Sequence, residues 1–201
     1  MIAAFVKPLV LTDTSAQIVT YGSFACAWLV EVAHSVEARQ SIFVKSDRGT
    51  YRVYVISIAA AIFIALSAGK WVPVLSLSSG GVWPLVLGLG LFWAGALLRW
   101  WAIFTLGHLF TVVVVVQDDH RVITTGPYRF IRHPGYMGLW LMLVGIGFIF
   151  DNLLGVLACL LLPPIGMFIR IRVEEQLLEN ELGNDYLGYE ATTKRLIPGV
   201  W

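Results

Sequence analysis

The sequence predicts an all-α integral membrane protein of about five transmembrane helices, and three observations predict it. Of 201 residues, 58% are hydrophobic and only 13% charged, with a mean hydropathy of +0.77, far more apolar than a soluble domain tolerates. The apolar residues fall into five runs, at 15–35, 51–69, 82–106, 136–150 and 153–170. Polar residues concentrate between and after those runs, above all at 107–135 and 171–201. At about 20 residues per span little chain remains for a soluble module. Residues 1–201 are therefore expected to form a single membrane domain whose site is built from helix ends and connections.

In the first run Glu31 and His34 lie three apart on one helix face near its end. Ionisable groups inside a span are functional candidates, although at this depth both can reach water. The second run carries the apolar stretch 53–66. In the third, Gly88, Gly90 and Gly95 are spaced to let a neighbouring helix approach closely, and Arg99 must snorkel or pair. The fourth and fifth runs are separated only by Asp151 and Asn152, which predicts a tight antiparallel hairpin. Pro163 and Pro164 predict a bend or break in the fifth, with freed carbonyls seeking other partners. Cys26 and Cys159 sit inside apolar runs without the Cys/His spacing of a zinc site, so both are expected as buried packing residues and no metal is expected. Residues 1–14 hold too short an apolar run for a signal peptide, and no small-residue cleavage site follows. The first run is therefore expected to stay in the protein.

Basic residues are unevenly divided. Arg39, Lys45, Arg48 and Arg52 lie between the first two runs, but only Lys70 lies between the second and third. Arg129, Arg132, Arg170, Arg172, Lys194 and Arg195 fall on the side of the larger group. The positive-inside rule then places the N-terminus outside and the C-terminus in the cytoplasm. A net charge of +1 says nothing about nucleic acid, but no stretch interleaves clustered Lys/Arg with aromatics, so no nucleic-acid partner is expected.

Two segments do not read as spans. Residues 111–132 carry a β-branched run at 112–116, a polar turn through Gln117 and His120, then Val122-Ile123-Thr124, the pattern of a short β-hairpin or paired extended loop. Residues 173–182 are helical in composition, with Gly183 placed to cap the C-terminus.

The densest polar punctuation is 126–138, directly before the fourth run. Pro134 suits the first position of a helix, so the backbone N–H groups there, with Arg132 and His133 beside them, suggest an anion site. Arg129, Arg132 and Tyr136 also fit ordinary interfacial anchors. At the exit of the fifth run Arg170 and Glu174 are four apart and share a face. Both can address one ligand, the guanidinium holding a carboxylate and Glu174 accepting from an ammonium or hydroxyl; a plain i, i+4 ion pair is the alternative. Glu175 faces elsewhere and is expected to be solvated. Nucleophile elbows, phosphate loops and dinucleotide fingerprints do not occur.

Taken together, Gln117, His120-Arg121-Val122-Ile123, Gly126-Pro127-Tyr128, Arg132-His133-Pro134-Gly135-Tyr136-Met137-Gly138, Arg170, Glu174-Glu175 and residues 183–189 resemble the isoprenylcysteine carboxyl methyltransferase family over about the last 95 residues. Their order and spacing, with the apolar hairpin between the motifs, carry the resemblance. It implies a membrane enzyme that transfers a methyl group from S-adenosylmethionine, leaving S-adenosylhomocysteine, to the carboxylate of a prenylated cysteine or similar lipophilic acceptor drawn from the membrane lipids. By that resemblance a cytoplasmic pocket formed by the loop and the C-terminal helix holds the cofactor. Gln117, His120, Arg121, Val122, Ile123, Tyr128, His133, Tyr136 and Glu174 fall at its cofactor positions, and Arg170 at the substrate contact. Arg170 and Glu174 are the candidate catalytic residues.

A carboxylate of pKa about 4 is already ionised at neutral pH, so such a transfer needs alignment and dryness rather than a general base. Phospholipid N-methylation would instead require a proton acceptor near the nitrogen. A membrane reductase of the sterol type, using NADPH, and a lipid-binding protein without chemistry are the remaining alternatives.

Overall fold

The computed structural model describes residues 7–38, 49–78, 81–110 and 122–197, and their side chains except at 34–38 and 108. A short turn of helix, α1 (Leu9–Thr12), leads into α2 (Thr14–Ala38). Then follow α3 (Thr50–Trp71), α4 (Trp83–Leu106), α5 (Pro134–Ile149), α6 (Leu153–Leu182) and α7 (Asn184–Thr192). Helices α2, α3, α4 and α6 are long and apolar enough to cross a membrane, while α5 is a shorter apolar helix. The protein is a multi-pass integral membrane protein whose five expected runs are all helical.

Helix lengths differ from the expected runs for physical reasons. α5 has 16 residues, about 24 Å at 1.5 Å each, shorter than a hydrocarbon core of about 30 Å. Pro134 starts it and the Asp151 turn, at φ 51°, ends it. α6 has 30 residues, about 45 Å, so its last turns project beyond the bilayer and carry Arg170, Glu174 and Glu175 outward. Pro163 and Pro164 do not break it. Pro164 removes the N–H that the Leu160 carbonyl would accept, and Trp140 Nε1 of α5 donates to that carbonyl at 3.1 Å instead.

Small residues set the packing. α4 and α5 meet along Gly88 and Gly95 against Gly138 and Gly145. A Cβ on Gly88 would lie 2.6 Å from the Gly145 carbonyl, and one on Gly145 2.5 Å from the Gly88 carbonyl. Gly90 has open space around it and takes no part in this seam. The seam repeats every seven residues, and Gly90 is off that face. α3 and α6 meet through Ala61 and Ala65 against Cys159 and Gly155, and through Gly166 against the Tyr54 backbone. Packing in a bilayer depends on this close approach, because lipid offers apolar side chains as good a solvent as their neighbours do. Gly95→Ala is expected to destabilise the protein by about 1–3 kcal/mol through overpacking, since its Cβ would lie 2.7 Å from the Met142 backbone nitrogen. Thermal unfolding in detergent checks this, and an unchanged midpoint would contradict it; Gly90→Ala, in open space, serves as the control.

Helix α2 is held to α4 at both levels: Trp93 Nε1 donates to Ser23 Oγ at 3.1 Å, and Ala27 packs with Phe92 and Ala96. Cys159 is buried as expected. Cys26 is instead exposed, on the face of α2 turned away from the bundle, where an apolar thiol meets lipid without cost.

One end of the bundle is tied by the α5–α6 hairpin. Asp151 Oδ1 accepts from the backbone N–H and hydroxyl of Ser78, both at 3.0 Å, and Oδ2 from the Ser76 hydroxyl at 3.1 Å. Asn152 caps α6 through Leu154 N at 3.0 Å and donates to the Val72 carbonyl at 3.0 Å. Arg99, Arg132, Glu175, Glu190 and Arg195 gather in ion pairs at the opposite end. Half of the expected β-hairpin at 111–132, residues 111–121, lies outside the described residues; the described part, 122–132, holds a 3-10 turn at Gly126–Arg129 and no strand.

Candidate functional site

The opposite end of the bundle is built from the exit of α4, the start of α5, the projecting end of α6 and the chain after it. Tyr136, one turn into α5, donates its hydroxyl to Glu174 Oε2 at 2.8 Å and accepts from Arg170 Nε at 2.9 Å. Arg170 and Glu174 do share a face, and a tyrosine from the neighbouring helix links them. Arg170 is almost fully buried, at 2% exposure, while the Glu174 side chain is 29% exposed. The guanidinium thus belongs to the protein interior and the carboxylate opens outward.

His133 is buried and caps the start of α5, with its ring 5.7 Å from that of Tyr136. Its Nε2 lies 3.1 Å from Glu175 Oε1 and its Nδ1 4.0 Å from Glu174 Oε1. Tyr128, in the 3-10 turn, is buried, and burial followed by the charge of Glu174 pushes its phenol well above the usual tyrosine range. Val122 and Ile123 are half-buried in irregular chain. Gln117, His120 and Arg121 lie outside the described residues. Tyr136, His133, Glu174 and Arg170 are therefore brought together, with Tyr128 in the buried turn beside α4.

Glu175 corrects the expectation of a solvated side chain. It is 2% exposed and accepts from Arg132 Nε at 2.8 Å and from Arg195 Nε at 2.6 Å, besides facing His133. Spacing explains why: Met167, Ile171 and Glu175 are four apart, so Glu175 continues the stripe of α6 on which Met167 and Ile171 are fully buried. That stripe was the available signal. Its hydrogen bond to Arg195 is the main cause that raises the Arg195 pKa further above its ordinary value.

Arg132 is not an anion-binding group or a surface anchor. It also pairs with Glu190 Oε1 at 2.9 Å and donates to the carbonyls of Glu190 and Thr193. Its backbone N–H donates to the Lys194 carbonyl at 2.7 Å, and that of His133 to the Arg195 carbonyl at 3.0 Å. The backbone N–H groups of Arg132 and His133, just before α5, are thus taken by the chain after α7, which pairs beside Ile131. Tyr189 reinforces this fold-back by donating to the Tyr128 carbonyl at 2.5 Å, and burial pushes its phenol up to about 12. Leu196 ends in the main apolar core.

Glu31 holds Arg99 in a two-armed ion pair, at 2.5 and 2.8 Å, and Arg99 also donates to the Gly135 carbonyl at 3.1 Å. Glu31 and Arg99 are thus partners that fix α2 and α4 to the start of α5, and the side chain of His34 lies outside the described residues. Tyr186 is the exception to this satisfied network. It is 3% exposed, and its hydroxyl is without a hydrogen-bond partner among the described residues. Burial, then the charge of Glu175, raises its pKa, so it remains a neutral phenol.

The model of the isoprenylcysteine carboxyl methyltransferase family matches residues 87–180, from mid-α4 through Arg170, Glu174 and Glu175. Over that stretch the chain is similar to this family. Among known proteins, a probable protein-S-isoprenylcysteine O-methyltransferase of rice (Oryza sativa subsp. indica) is 35% identical over 116 residues, which are 57% of this chain and 61% of the rice protein. The protein-S-isoprenylcysteine O-methyltransferase of Saccharomyces cerevisiae is 32% identical over 52% of this chain and 45% of the yeast protein. The chain therefore aligns with about half to three fifths of the length of these relatives. The solved structure of the eukaryotic intramembrane Ras methyltransferase ICMT shares the fold, with a TM-score of 0.67 at 24% identity, over 95% of this chain and 70% of that one. The isoprenylcysteine carboxyl methyltransferase fold thus extends over α2 and α3, beyond the stretch that the family model matches.

Proposed function

We propose that this chain is an S-adenosylmethionine-dependent methyltransferase that esterifies the carboxylate of a prenylated cysteine or similar lipophilic carboxylate at the cytoplasmic membrane face. The observation that carries the reading is the Arg170–Tyr136–Glu174 chain of hydrogen bonds, in which a buried guanidinium and an outward carboxylate are joined across two helices. The side chains fit the cofactor. Glu174 is an accessible acceptor for an ammonium or ribose hydroxyl, and the buried Tyr186 hydroxyl, without a partner among the described residues, is a donor that a ligand would satisfy. Gln117, His120, Arg121, Val122, Ile123, Tyr128, His133, Tyr136 and Glu174 would hold it. When bound, it supplies an electrophilic methyl group to a carboxylate oxygen.

Arg170 orients that carboxylate. Its burial keeps water from the same position, and its Nε is engaged by Tyr136, which limits how fully it can neutralise the nucleophile. Amine methylation is less favoured because the buried acid, Glu175, is occupied by Arg132 and Arg195. Residues 107–135 and 171–201 then lie on the cytoplasmic side, with the N-terminus outside.

Titrating the purified protein with S-adenosylhomocysteine tests the reading. Saturable binding well below millimolar is expected; none below millimolar, or binding of NADPH instead, contradicts it. Glu174→Ala is expected to weaken that affinity at least about tenfold, since a charge-assisted hydrogen bond contributes about 1.5–3 kcal/mol. An unchanged affinity would remove Glu174 from the cofactor site.

A further inference from the structure

Arg170 is buried between helices that come from both halves of the chain. Its guanidinium carbon lies 5.4 Å from the ring centroid of Tyr51 and 5.5 Å from that of Tyr54, both on α3. Tyr54 also meets Tyr136 edge-on, with centroids 5.9 Å apart and planes at 88°. Tyr54 therefore touches the guanidinium and the residue that receives its Nε hydrogen bond. Gly166 makes this possible: a Cβ there would lie 2.7 Å from the Tyr54 Cα, so only a glycine lets α3 approach α6 at that level. Tyr54 lies outside the residues that the family model matches.

We infer that Tyr54, with Tyr51 beside it, is a positioning residue that sets the direction of the Arg170 guanidinium toward the acceptor carboxylate. This inference rests on the proposed function for the identity of the acceptor. A planar guanidinium stacks on an aromatic face while its edge N–H groups remain directed in the plane, whereas a group free to rotate would meet the carboxylate in many geometries. The ring, rather than the phenol hydroxyl, supplies this constraint. A carboxylate then binds tightly only where the rings hold the guanidinium, and an uncharged ester gains nothing from them.

The test is binding of an amine-blocked S-farnesylcysteine and of its methyl ester to the full chain in detergent, without methyl donor. On Tyr54→Leu the acid is expected to bind about tenfold more weakly and the ester within twofold of the parent protein. Tyr54→Phe is expected to stay within twofold for both. Unchanged acid affinity in Tyr54→Leu would overturn the inference, as would equal losses for acid and ester, or no binding of the acid to the parent protein. Parent protein that binds the acid more tightly than the ester but never methylates it would sink the proposed function and leave the role of Tyr54 standing.

Discussion

Arg170→Ala is expected to lower methyl transfer at least about 100-fold while leaving the affinity for S-adenosylhomocysteine within about twofold. The asymmetry follows from geometry. Removing the guanidinium deletes the group proposed to meet the acceptor, but Tyr136 keeps its donation to Glu174, so the outward part of the hydrogen-bond chain survives. Burial makes the loss large, because water cannot take over the orienting role at a position with 2% exposure. Arg170→Lys is expected to recover little. A compact ammonium keeps the charge but neither stacks on Tyr51 and Tyr54 nor donates to Tyr136 in the same plane. Single-turnover transfer and cofactor titration on the same preparation check both variants. A loss of cofactor affinity in Arg170→Ala equal to the loss of rate would place Arg170 in the cofactor site instead.

Glu175→Ala is expected to cost about 3–5 kcal/mol, because removing one member of a buried ionic network leaves the others uncompensated. Here the abandoned groups are Arg132 and Arg195, with His133 beside them. Coulomb attraction alone does not decide the sign, since burying the charges is itself expensive. What decides it is that the same Arg132 also anchors Glu190 and the Thr193 carbonyl. Losing its direction frees α7 and the following chain as a unit. Thermal unfolding in detergent should show the lower midpoint, and limited proteolysis should cut within 184–197 first. An unchanged midpoint together with an unchanged cleavage pattern would contradict the network's role. Glu175→Gln, which keeps the size and an acceptor oxygen, is expected to lie between the variant and the parent.

The helices were legible in the sequence because lipid demands long apolar runs, and a polar pair such as Asp151-Asn152 can only be a turn between them. Their phases were less legible. Gly90 looked like part of the close-packing seam and Cys26 like a core residue, since composition inside a span does not tell a lipid-facing position from a packed one. The Arg170–Glu174 face was visible from its i, i+4 spacing. Glu175 was misplaced because a charge was assumed to seek water, although the stripe through Met167 and Ile171 runs directly into it. The fold-back of residues 193–195 onto 131–133 had no sequence signal, because backbone N–H and carbonyl groups make it and every residue carries those. Tyr54 was likewise invisible, as its position depends on a glycine more than a hundred residues away.

Transfer of labelled methyl from S-adenosylmethionine by the purified protein to a panel of prenylcysteines, fatty acids and phosphatidylethanolamine tests the proposed chemistry most directly. Label should appear on the prenylcysteine as a base-labile methyl ester, absent with Arg170→Ala. Label confined to phosphatidylethanolamine in a base-stable form, or no transfer by protein that binds S-adenosylhomocysteine, would contradict it.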